Sequence, residues 1–125
     1  MNLLIEKVSD LNDMIMQGEK LEAFDKFYHQ EVIMQFNDED PVRGKVANRR
    51  LLELEQNNIT ELKSAKPLKV TIGEKTTMVE WELNDEHTEF GERIYTQVVV
   101  HDWNEGLVIK EKLYCGNKKN NIVTF

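Results

Sequence analysis

One cysteine, two prolines and six glycines in 125 residues leave little from which to build a stapled or loop-rich fold. The single thiol, Cys115, excludes an internal disulfide and any zinc site made of cysteine pairs. Proline and glycine this scarce exclude collagen-like and low-complexity architectures. The three histidines, His29, His87 and His101, lie far apart, so no transition-metal ligand cluster is legible and no metal or cofactor is expected. Positive charge is also in deficit. Lys plus Arg is 16 against 23 Asp plus Glu, a net charge of −7. A nucleic-acid surface needs a cationic footprint and an anionic membrane repels a chain of this sign, so neither partner is expected. No long apolar run occurs. Glu6, Lys7, Asp10 and Asp13 interrupt the first segment, which fits neither an export signal nor a membrane span, and the expected compartment is the cytoplasm. Phosphate-cradling glycine loops and serine-nucleophile motifs are absent as well.

What is present is a globular composition, 40% hydrophobic and 31% charged. The length predicts one domain, residues 1–117, with a tail at 118–125 in which Ile122, Val123 and Phe125 offer a docking contact. Leu4, Val8, Leu11 and Ile15 fall on one face of an amphipathic helix, and Gly18 stands where such a helix ends. A shorter helix is predicted over Glu19 to Tyr28, closed by His29, and a strand over Val32 to Phe36. Asn37 to Pro41 reads as a solvated acidic loop, since Asp40 before Pro41 is turned away from helix. Gly44 opens a third helix to about Leu62, with Ala47, Leu51 and Leu54 as its apolar stripe. Beyond Pro67 the period falls to two. Leu68 to Ile72 and Thr77 to Leu83 alternate, a charged hairpin is predicted at Asn84 to His87, and strands follow over Phe90 to Trp103 and Leu107 to Cys115. Asn104, Glu105 and Gly106 supply the last hairpin loop. The order α-α-β-α-β-β-β-β predicts an α+β fold, a curved antiparallel sheet wrapped around N-terminal helices.

This pattern resembles the nuclear transport factor 2-like superfamily, which includes ketosteroid isomerases and SnoaL-like polyketide cyclases. The resemblance rests on Gly18 through Tyr28, Val32 to Phe36, Pro41-Val42-Arg43-Gly44-Lys45, and Trp103 through Val108 with the strand to Tyr114. It implies a cystatin-like cone around an apolar cavity and usually a homodimer. Function does not follow, because the superfamily holds isomerases, cyclases, dehydratases and non-catalytic binding modules. The isomerase resemblance places a general-base aspartate at Phe36, an oxyanion-hole tyrosine at Leu11 and a second oxyanion-hole acid at Val99. All three positions are apolar here, so proton shuttling of that type lacks its groups. A dehydratase of the scytalone type needs histidines and tyrosines converging in the cavity, whereas His29 and His87 read as solvated.

The last two strands carry the most informative constellation. With a three-residue loop, one face holds Tyr95, Gln97, Val99, His101, Trp103, Leu107, Ile109, Glu111, Leu113 and Cys115. The opposite face holds Thr96, Val98, Val100, Asp102, Val108, Lys110, Lys112 and Tyr114. The first is the more apolar and is expected to face the cavity, with His101 and Glu111 as diagonal neighbours. A carboxylate on an apolar wall must be paired or shift its pKa, and such groups mark candidate sites. Glu111 and His101 are thus the candidate acid and base. Phe36, Trp81, Gln97, Val99, His101, Glu111 and Leu113 are the candidate ligand contacts. The alternatives are a structural His101–Glu111 pair, a bridge from Glu111 to Arg49 or Arg50, or a one-residue slip that turns every side chain over. Trp81 also reads as core, Met14, Met16 and Met34 as filler, and Cys115 as a buried small hydrophobe. The leading expectation is a small apolar or amphipathic ligand in an internal pocket. The rivals are a SnoaL-like isomerase, cyclase or dehydratase, and an interaction module with a filled core. Thr96, Val98, Val100, Val108 and Tyr114 are expected to join two copies through the sheet.

Overall fold

The computed structural model describes residues 3–116, so the tail expected at 118–125 lies outside the described residues. Helix α1 (Leu3–Met16) buries Val8 and Leu11 from the predicted stripe, while Met16 is exposed. Gly18 follows at φ +81, a left-handed turn that glycine adopts without strain. Helix α2 (Lys20–Phe27) buries Ala23, Phe24 and Phe27. Its successor Tyr28 is already extended, at φ −102 and ψ 140, and begins strand β1 (Tyr28–Phe36). The strand therefore starts earlier than Val32, and His29 belongs to it rather than closing the helix.

A two-residue strand β2 (Val42–Arg43) pairs antiparallel with β1, too short for any periodicity to announce it. Helix α3 (Lys45–Asn57) ends well before Leu62. Its predicted apolar stripe does not face the core: Leu51 is 50% exposed and Leu54 58%. The buried residue of α3 is Asn48, whose Nδ2 donates to the carbonyls of Gly44 at 2.8 Å and Val42 at 3.0 Å. Buried polar groups must be bonded, so this anchor sets the helix's rotation against the pull of its leucines.

Asn57 and Asn58 weaken the helix, and the chain turns directly into strand β3 (Ile59–Ile72). Pro67 lies inside that strand rather than before it. It is tolerated because β3 is an edge, and the register shifts between Pro67 and Lys69. Strand β4 (Thr76–His87) extends through the residues expected to form a hairpin, and β5 (Gly91–Asn104) and β6 (Leu107–Cys115) follow. The α+β prediction holds, on a mixed sheet of order β2-β1-β6-β5-β4-β3. Its one parallel pairing joins β1 to β6, strands from opposite ends of the chain that no hairpin forces antiparallel.

The last hairpin corrects the predicted register. Glu105 (φ +53) and Gly106 (φ +81) form a two-residue turn of the kind whose positive φ values match strand twist. Asn104 pairs with Leu107 and Trp103 with Val108; then Ile109 bulges, Asp102 meets Lys110 and His101 meets Glu111 directly. The bulge restores the expected parity only beyond Ile109. Val108 is consequently core, with no exposed surface, while Leu107 and Ile109 are half-buried. The core lies between helices and sheet in two clusters, one around Trp81 and Val99, the other around Phe24 and Trp103.

Candidate functional site

Between the helices and the sheet lies a cavity of about 370 Å³, within the range of small-molecule sites. Phe36, Trp81, Gln97, Val99, His101, Glu111 and Leu113 all line it. Leu11 lines it too, so the three positions that the isomerase resemblance singles out reach the cavity as apolar wall. Gly18, Glu39, Asp40 and Leu51 line it while remaining exposed to solvent, which puts its mouth between the α1–α2 turn, the β1–β2 loop and α3. Trp81 is at once core and wall, 2% exposed.

At one end three polar side chains converge. His101 is aligned by its neighbours: Thr77 pairs with it on one side and Glu111 on the other. Its ring meets Trp103 edge-on at 6.0 Å, and Trp103 Nε1 donates to Thr77 Oγ1 at 2.9 Å. Tyr28 arrives from the α2–β1 junction, its ring tilted against Phe24 at 4.6 Å and edge-on to His101 at 5.5 Å. Its hydroxyl donates to Glu111 Oε1 and lies 3.0 Å from His101 Nε2. His101 Nε2 is 2.8 Å from the same Oε1. A carboxylate can only accept, so the proton on Nε2 is assigned from its partner. Glu111 Oε2 takes no hydrogen bond from the described residues.

Burial alone would raise the Glu111 carboxyl. The hydrogen bond and attraction to His101, the Lys20 ammonium and the Tyr28 hydroxyl outweigh it and hold the group below its ordinary 4.5. Burial, then the negative charge of Glu111 and its hydrogen bond, keep the Tyr28 phenol protonated well above its usual 10.0. The predicted alternative of a bridge to the third helix does not form: Arg49 pairs with Asp25 at 2.8 Å and with Glu53 at 3.1 Å.

A second polar group lies farther along β5. Arg93 donates to both oxygens of Asp85, at 2.8 and 2.9 Å, and Tyr95 Oη donates to Asp85 Oδ2 at 3.0 Å. Arg93 also lies 3.6 Å from Glu55 on α3. Asp85, Tyr95 and Glu55 all line the cavity. Sequence reasoning missed Tyr28 and Asp85. The alternation Thr77, Val79, Trp81, Leu83 continues to Asp85, a signal hidden by reading Asn84 to His87 as a turn. Tyr28 gave no periodic signal, because it stands where a helix becomes a strand. His29 and His87 line no part of the cavity; their rings accept backbone N–H groups of Glu31 and of Glu89. No group of three or more His, Cys, Asp or Glu side chains among the described residues gathers to hold a metal ion.

Solved structures share this architecture. A candidate SnoaL-like polyketide cyclase from Mesorhizobium loti superposes with a TM-score of 0.79 at 17% identity, over 91% of this chain and 99% of its own. An LEH-like epoxide hydrolase from M. tuberculosis gives 0.71 at 13% identity, over 90% and 81%. A nuclear transport factor 2-like protein of unknown function from Burkholderia pseudomallei gives 0.74 at 11%, over 93% and 92%. No protein-family model matches the sequence, and no curated protein matches it. The chain has the nuclear transport factor 2-like, SnoaL-like cone fold. Proteins of this architecture carry names from different reaction classes, so the fold leaves the chemistry to the cavity.

Proposed function

We propose that this is a cytoplasmic protein that binds a small apolar or amphipathic molecule in the cone, its polar end against Glu111, His101 and Tyr28. The observation that carries this reading is a buried, ionised carboxylate on the wall of an apolar cavity, one oxygen of which takes no hydrogen bond from the described residues. A charged group held in a desolvated cleft marks a candidate functional site. Cys115, the single cysteine of the sequence, can form no internal disulfide, which accords with a reducing compartment. The test is titration with N-phenyl-1-naphthylamine, an uncharged fluorophore. Saturable binding with quenching of tryptophan emission is expected. Val99→Phe, which fills the cavity, should weaken it about tenfold or more while the far-ultraviolet spectrum stays that of the wild type. Binding that ignores the filled cavity would end this reading.

Catalysis by the same three residues is the second reading. It is favoured by the contact of a phenol, an imidazole and a carboxylate within hydrogen-bond reach of one another, the arrangement that acid–base steps use.

We also propose that two copies join through the outer sheet face. Met78 is 46% exposed there and Tyr114 45%, with Val98 and Val100 between them. Asp102 stands beside Lys110 and Lys112, so opposite charges are available to a self-complementary pair of faces. Val108, expected on this face, is in the core and takes no part. Light scattering at micromolar concentration should report a dimer, and Val100→Asp a monomer. A monomeric wild type sinks the proposal.

A further inference from the structure

We infer that the cone selects apolar molecules whose polar end donates a hydrogen bond, an alcohol or an amine, and discriminates against anions and acceptor-only heads. The inference rests on the pocket reading above and names the chemistry of its ligand.

The first observation is where the protons point. The Tyr28 hydroxyl and His101 Nε2 are both spent on Glu111 Oε1. Neither is left to polarise a ligand carbonyl, which needs a donor aimed at its oxygen. What remains at this end of the cavity is an acceptor, Oε2, on a residue 7% exposed and without a donor among the described residues. A buried carboxylate oxygen in that condition is completed by an incoming N–H or O–H and is repelled by another acceptor. The amides of Asn12 and Gln97 also line the cavity, but each can give or take a bond, so they do not choose between ligands.

The second observation is the sign of the walls. Among the described residues, Glu39, Asp40, Glu55, Asp85 and Glu111 line the cavity against a single lining ammonium, Lys20. Arg93 answers Asp85, which leaves the acidic side in excess. Glu39 and Asp40 stand at the mouth, where an approaching carboxylate, sulfate or phosphate meets them first. Like charges met in a partly desolvated opening disfavour both the encounter and the complex.

The experiment is a matched series on one apolar body: 2-(2-naphthyl)ethanol, its methyl ether, 2-(2-naphthyl)ethylamine and 2-naphthylacetate, each titrated by calorimetry into the intact protein. The alcohol and the amine should bind about tenfold or more tighter than the methyl ether, the worth of one hydrogen bond to a charged group. The acetate should bind weakest of the four. In Glu111→Gln, which can donate as well as accept, the ether should gain on the alcohol until the two are within about threefold. An ether or an acetate that matches the alcohol in the wild type overturns the inference and leaves the pocket standing. Failure of all four to bind removes the pocket reading itself.

Discussion

Arg93→Met should lower the free energy of unfolding by about 3–5 kcal/mol, the usual cost of stripping one partner from a buried ion pair. Arg93 and Asp85 are each 1% exposed, and Arg93 meets both oxygens of the carboxylate. Without the guanidinium, Asp85 keeps only the Tyr95 hydroxyl among these partners. Asp85→Leu should cost nearly as much, since it leaves a buried cation facing the more distant Glu55. The double variant Asp85→Leu with Arg93→Met should recover a large part of the loss, because two apolar chains pack where two charges had to be desolvated. Urea unfolding of the three variants beside wild type measures the coupling. A single variant within about 1 kcal/mol of wild type would show that water reaches the pair.

The second large effect concerns pH. The Glu111 carboxyl is held below 4.5 in the folded chain, so the folded state favours its ionised form. A depressed carboxyl contributes stability that is complete above the unfolded value and fades as pH falls through the folded one. Glu111→Gln should therefore cost about 1–2 kcal/mol near neutrality, where the variant still offers one acceptor to Tyr28 and His101. The gap between variant and wild type should stay level down to about pH 5 and then close as the acid limb is entered. Thermal unfolding from pH 3 to 8 reads this directly. A gap that widens toward acid would mean that the folded state prefers the protonated carboxyl, with burial outweighing its three partners.

The elements with a clean period were legible. Leu4, Val8, Leu11 and Ile15 gave α1, and the alternation around Trp81 and Val99 gave the inner face of the sheet. What misled was local conflict. The leucines of α3 pointed to a core-facing stripe, but Asn48 and Glu55 decide how the helix sits, and no periodicity of apolar residues registers an amide's hydrogen bonds. The placement of Glu111 on the inner face survived a mistaken register because two one-residue shifts add to two, which returns each side chain to its face. The turn has two residues rather than three, and Ile109 bulges by one. Leu107, Val108 and Ile109, lying between the turn and the bulge, carry the first shift alone and so stand on the faces opposite to those expected. The chemistry of Tyr28 leaves no local signal in the sequence, since its partners lie 73 and 83 residues away in the chain.

The polar docking of α3 divides labour between the parts of the molecule. One wall of the cavity is held largely by polar bonds, from Asn48, Lys45 and Arg49 and from Glu55 reaching Arg93, while the opposite wall is a hydrogen-bonded sheet. Leu51, Leu52 and Gln56 on the helix shape the opening yet are not part of the fully buried core. Such positions accept substitution with little loss of stability, and loosely packed walls are where new specificities arise. Evolution can therefore rewrite what this chain holds by drifting along one helix, while the strands that keep it folded stay as they are.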